Sequence, residues 1–164
     1  MVEMSIYGVS FDLVGKQPIV LLKTADGNRY LPIWIGHPEA AAILMKLQGA
    51  SAPRPLTHDL LRDLLHNLEV EVEAIVITEL VDSIFYAEIR MRRDGRPYIV
   101  SSRPSDAIAL AVRIGTPIHA EESLLDAEAY VLQDDDEEQE EEQEEVIEKF
   151  QRFIEDLRPE DFAS

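Results

Sequence analysis

Three stretches of this chain gather side chains able to handle a phosphate or a proton. In SSRPSD, Ser101 to Asp106, an arginine and three hydroxyls stand at the head of an apolar run, Ala107 to Ile114. A helix starting there would offer unsatisfied N–H groups and a partial positive charge to an anion. Arg103 would add a planar fork suited to phosphate oxygens, and Ser105 a hydroxyl. The plainer reading is a capped helix start in which Arg103 pairs with Asp106. The second stretch is Thr57-His58-Asp59, where Thr57 suits an N-cap and His58 a proton-transfer role. Asp59, Asp63 and His66 follow at i, i+4, i+7, so they share a helix face that could hold a hard divalent cation. Arg62 interrupts that face, which favours a solvated polar surface instead. The third stretch, His37 and Glu39, opens another apolar run. Glu39 there is either a first-turn acid favoured by the helix dipole or a general base or metal ligand.

The elements that must position these groups read as a duplication. Residues 25–49 and 93–115 each hold an Asp-Gly turn, a short apolar strand, a proline opening a helix, and a closing glycine. Pro38 to Gly49 and Pro104 to Gly115 have equal spacing. Strands are expected near 2–13, 18–23 and 29–35, and again near 70–79, 83–92 and 97–101. The apolar parity slips at Tyr7-Gly8, which predicts a bulge. Both helices are apolar on every side, which calls for cover on several sides. The expected fold is therefore α+β: duplicated β-β-β-α units forming a three-layer β/α/β sandwich, with both helices between two sheets. Leu60, Leu61, Leu64, Leu65 and Leu68 make helix 57–68, which joins the units, amphipathic. A further short helix is expected after Glu121.

The net charge of −18 is unevenly spread. Residues 1–120 carry 14 acidic and 12 basic side chains, net −2; residues 121–164 carry 19 and 3, net −16. The nearly neutral body can meet a polyanion locally without a global basic field. Its basic patch is Arg90, Arg92, Arg93 and Arg96, near Tyr86 and Tyr98. Residues 134–145, DDDEEQEEEQEE, read as a disordered acidic linker. Residues 146–164 carry an apolar stripe, Val146, Ile147, Phe150, Phe153, Ile154 and Leu157, expected to be a docking helix for a protein partner or for the body itself. The organisation expected is a domain over 1–133, with repeat units near 1–49 and 70–115, then linker and helix. Absence of Cys excludes disulfides, Cys-based zinc sites and a Cys nucleophile. With no basic-then-apolar leader and no 18-residue apolar run, a cytoplasmic protein without membrane contact is expected. Gly15-Lys16 lacks the first P-loop glycine, with Ser10 in its place, and G-x-S-x-G and H-E-x-x-H are missing. No organic cofactor is expected.

Four motifs in order carry a specific resemblance: LPIWIGHPEAAAI from Leu31, RPLTHDLL from Arg54, FYAEI from Phe85 and RPSDAIALAVR from Arg103. They resemble the bifunctional nuclease family of bacteria and plants over about residues 1–133. The resemblance implies the three-layer β/α/β fold and metal-assisted phosphodiester hydrolysis of DNA and RNA. By motif it places Glu39, Thr57, His58, Asp59, Arg103, Ser105 and Asp106 at the family's polar positions. Many members have an acidic residue where this chain has Ser101, so a role resting on that carboxylate is not available here.

Two functions are thus expected to compete. In a nuclease, Arg103, Ser105, Thr57 and the adjoining helix start hold phosphate. Glu39, Asp59 or Asp106 activates water, directly or through Mg²⁺ or another divalent cation on Asp59 and Asp106, and His58 moves a proton. In a non-catalytic interaction module, the acidic tail and final helix bind a protein partner. A variant of both has the tail mimic nucleic acid over the arginine patch. Open sheet edges favour a homodimer. Geometry discriminates: an enzyme needs its polar corners to converge where solvent reaches them.

Overall fold

A computed structural model of the protein describes residues 1–11 and 16–131. The expected acidic linker and C-terminal docking helix lie outside the described residues. The chain divides into Met1–Tyr130 and Val131–Ser164, and the architecture below is that of the first unit.

The expected repeat is present. β1 (Val2–Phe11), β2 (Pro18–Thr24), β3 (Arg29–Trp34) and α1 (His37–Leu47) form one β-β-β-α unit. β4 (Glu71–Val81), β5 (Ile84–Arg93), β6 (Arg96–Ser102) and α3 (Pro104–Ile114) form the second. Between them runs α2 (Thr57–Asn67), and after them come β7 (Ile118–Ala120), α4 (Glu122–Glu128) and β8 (Tyr130–Val131). Within each unit the strands pair antiparallel. The register slips between Ile6 and Gly8, so Tyr7 is the extra residue of the expected bulge. The Asp94-Gly95 turn has both residues at positive φ, 50° and 74°, as in the primed two-residue turns whose twist matches the flanking strands.

One expectation needs correcting. The strands do not form two separate sheets but one hydrogen-bonded sheet of order β6-β5-β4-β7-β1-β2-β3-β8. The join is β7, a three-residue strand not foreseen from the sequence, antiparallel to β1 and parallel to β4. Gly115 caps α3, and Thr116 and Pro117 turn the chain straight into the gap between the units, where Ile118 and Ala120 are buried. Short α4 nevertheless touches both β3 and β4, four places apart in the sheet.

The helices differ in cover. α3 packs against α1, α2, β4 and β5, and eight of its residues are buried, Ala107 through Ala111 continuously. Its small side chains let neighbours approach on every side. α1 was expected to be equally enclosed, but only Ala40, Ala42, Ile43 and Leu44 are buried and Leu47 is half exposed. It lies beside α3 with β2 beneath, and its remaining face is open. α2 turns Leu61 and Leu65 inward, while Leu60, Leu64 and Leu68 are about half exposed. No helix among the described residues is long and apolar enough to cross a membrane.

Candidate functional site

The three long helices begin near one another, and their first turns carry the candidate residues. Pro104 forces its predecessor out of helical geometry. Arg103 therefore sits at the α3 N-cap with extended backbone (φ −71°, ψ 141°), its side chain thrown clear of the helix. The guanidinium donates through Nε to Asp106 Oδ2 at 2.8 Å, one turn into α3. Through Nη2 it donates to Glu39 Oε1 at 2.7 Å, in the first turn of α1. The other oxygen of Asp106 lies 2.9 Å from His58 Nε2, in the first turn of α2. Glu39, Arg103, Asp106 and His58 thus form a continuous chain across the starts of α1, α3 and α2.

Exposure is graded along that chain. The Arg103 side chain is 65% exposed, Asp106 31%, Glu39 15% and His58 10%. Solvent meets the arginine first and the imidazole last. Glu39 and Asp106 hold the guanidinium more firmly protonated than usual. Glu39 folds back over Gly36, so a Cβ at residue 36 would require its carboxylate to move.

Asp59 does not join this chain. Its Oδ1 accepts Arg113 Nε at 2.7 Å and its Oδ2 accepts the Leu56 N–H at 3.0 Å. Burial works against its charge, but the Leu56 N–H and Arg113 outweigh it and hold the carboxyl below the usual 3.8. Arg113 is buried and also donates to Ala109 O (2.8 Å) and Ala42 O (3.0 Å). One side chain therefore ties α1, α2 and α3 together beneath the exposed chain. Sequence reasoning passed over Arg113. The signal was there: a lone cation in an otherwise apolar helix requires buried acceptors.

The remaining expected residues take quieter places. Thr57 is exposed in the first helical turn rather than at the N-cap, which is Leu56, because the Asp59 carboxylate already satisfies the N-cap N–H. Ser105 is buried in the first turn of α3. Asp63 pairs with Arg62 at 2.7 Å, so it does not share a cation with Asp59. Asp63 and His66 line a separate open cleft of about 700 Å³ with Arg62, Glu71 and Thr116. Among the described residues no three His, Asp or Glu side chains stand close enough to hold a metal ion.

A protein-family model described as bifunctional nuclease domain matches residues 20–133. The chain belongs to that family. An uncharacterized protein of Mycobacterium tuberculosis is 41% identical over 164 residues, covering 99% of this chain and 98% of its own. Bifunctional nuclease 2 of Oryza sativa subsp. japonica is 26% identical over 112 residues, 66% of this chain and 34% of the rice protein. Bifunctional nuclease 1 of Arabidopsis thaliana is 26% identical over 111 residues, 65% of this chain and 34% of its own length. The matched region contains all of Glu39, His58, Arg103, Asp106 and Arg113. The family's extent therefore encloses the complete site and the residue that ties its helices.

Proposed function

We propose that this domain hydrolyses phosphodiester bonds of single-stranded DNA or RNA at the Glu39–Arg103–Asp106–His58 chain. The supporting observation is the convergence of three helix starts on the exposed Arg103–Asp106 pair, with Glu39 on the guanidinium and His58 on the carboxylate. The Nε and Nη2 edge of Arg103 is spent on the two carboxylates. Its Nη1 end, on a mostly exposed side chain, is left for a phosphate oxygen, with the α3 N-terminus behind it. Glu39 holds the fork in place. Asp106, the more exposed partner of the Asp106–His58 pair, accepts the proton of the attacking water, while the P–O bond to the leaving sugar oxygen breaks and solvent protonates that oxygen. His58 donates Nε2–H to the other oxygen of Asp106 and fixes its orientation. Asp59 and Arg113 set α2 against α3, so that His58 meets Asp106.

Mg²⁺ is ordinarily held by one or two carboxylates, with water and substrate phosphate filling the rest. Glu39 would supply such a carboxylate, in place of the Asp59–Asp106 pair expected from sequence, and the ion would neutralise charge on the phosphate. The test is hydrolysis of labelled single-stranded oligonucleotides by highly purified protein, with and without chelator. Asp106→Asn and Arg103→Ala should each reduce kcat/KM by about 100-fold or more, with melting temperatures close to the parent's. Unchanged activity in both variants rejects the assignment.

One observation favours a non-catalytic reading: every carboxylate of the chain is already satisfied by Arg103, as in a structural clamp. Under that reading the same two variants lose stability, and the parent shows no hydrolysis above the Asp106→Asn background.

A further inference from the structure

β6 is the last strand of the sheet, and among the described residues its one hydrogen-bonded neighbour is β5. Six of its seven residues are exposed, including Tyr98 (48%), Ile99 (61%) and Val100 (47%). Natural sheets blunt such an edge with lysine, inward charges, bulges or a covering element. Tyr98-Ile99-Val100 carries no charge, and its ladder to β5 runs from Arg93↔Arg96 to Ala87↔Ser102 without a slip. Arg96 and Pro97 are its blunting residues, and they act only at the strand's start.

Pro97 also reveals which backbone groups the edge presents. Arg93 and Arg96 close a two-residue hairpin, so they form a hydrogen-bonded pair, and pairs alternate from there. Pro97 falls in a non-bonded position, where its missing N–H costs nothing. Ile99 and Ser101 then aim their N–H and C=O groups at the open side. An antiparallel strand centred on Ile99 would satisfy them if it carried the same sequence. The two Ile99 residues would exchange both bonds, and each Ser101 N–H would reach a Pro97 carbonyl. Tyr98 would face Val100 and Arg96 would face Ser102, so no charge meets a like charge.

We propose that a second copy of this chain occupies the edge, β6 against β6 about a two-fold axis at Ile99, joining two sheets into one. The fit is self-complementary in backbone, apolar contact and charge, as an isologous interface requires. A two-fold axis through the sheet keeps both helix layers on one face. β6 runs directly into Arg103, four residues from the axis, so the two Arg103 residues lie roughly 27 Å apart along the strands. The pairing itself does not depend on the nuclease reading.

The chain contains no cysteine, which makes the register directly testable. Facing residues of a hydrogen-bonded pair have Cα atoms about 5.5 Å apart, within disulfide range. Full-length Ile99→Cys should cross-link to itself under mild oxidation. Tyr98→Cys alone should not, whereas an equimolar mixture of Tyr98→Cys and Val100→Cys should. The parent should sediment as a dimer at about 0.15 M salt, where charge repulsion is screened beyond roughly 8 Å, and Ile99→Lys as a folded monomer by circular dichroism. A monomeric parent, a dimer that survives Ile99→Lys, or a folded Ile99→Cys that stays uncross-linked overturns the proposal. So does loss of the dimer in Leu60→Glu with its retention in Ile99→Lys, which would move the interface to α2.

Discussion

Arg113 and Asp59 show how one residue pair can decide whether a site exists. The Arg113 side chain is 2% exposed and Asp59 23%, so removing the carboxylate strands a buried cation. Breaking such a pair from one side costs roughly 3 kcal/mol or more. Asp59→Asn should therefore lower stability near neutral pH by about that amount, as read from chemical denaturation. The Asp59 carboxyl is held below its ordinary 3.8 in the folded state. A depressed carboxyl contributes its stability above the unfolded value and loses it as pH falls through the folded one. The gap between parent and Asp59→Asn should be full from about pH 5 upward and should close as pH drops below 3.8. A gap independent of pH would show that packing, not charge, makes the difference. At the exposed end of the site the balance reverses. Arg103 is mostly solvated, and pairs of that kind are worth about 0–1 kcal/mol, so its variants should report on chemistry rather than folding.

Among the elements, local chemistry explains what could be foreseen. Asp-Gly turns, the prolines opening α1 and α3, Gly115 (φ 81°) closing α3, and the parity slip at Tyr7 all act within a few residues. Each was legible in the sequence for that reason. β7 was not, because three residues cannot display a period; only their burial between the two units makes them a strand. The uneven cover of α1 and α3 was hidden likewise, since an all-round apolar sequence records tolerance of burial, not its extent. Residue types marked Glu39, His58, Arg103 and Asp106 as candidates, but their assembly needed three helix starts to meet. Nothing local encodes that meeting except Arg113, which sequence reasoning passed over. The β4–β5 turn was expected slightly early, between 79 and 83, because it lacks a glycine to mark it: Asp82 and Ser83 adopt φ of 49° and 63°. Replacing both, Asp82→Asn with Ser83→Gly, supplies the residues that a primed hairpin turn prefers. Relief of left-handed strain should let the double variant gain about 1 kcal/mol, seen as a rise of about 3 °C in melting temperature. No rise, or a fall, would mean that the Asp82 and Ser83 side chains hold the turn in another way.

For the whole molecule, the partner problem is electrostatic. Residues 134–164 carry 15 acidic and 3 basic side chains, net −12, whereas residues 1–133 carry 18 and 12, net −6. A chain of net −18 must approach a polyanion against its own field, while the proposed phosphate contact rests on a single arginine. Repulsion over such distances is a property of salt, reaching about 30 Å at 0.01 M and 3 Å at 1 M ionic strength. Truncation after Gln133 should therefore tighten binding of a fluorescent single-stranded oligonucleotide, measured by anisotropy, most strongly at low salt. Full-length and truncated proteins should converge as salt approaches 1 M. The arginine hairpin separates field from contact. If the acidic segment acts through charge alone, Arg92→Gln with Arg96→Gln should weaken both proteins by the same factor. If the segment instead rests on those arginines, the pair of substitutions should weaken only the truncated protein. Equal affinity of full-length and truncated chains at low salt would leave the acidic residues no part in access to the site.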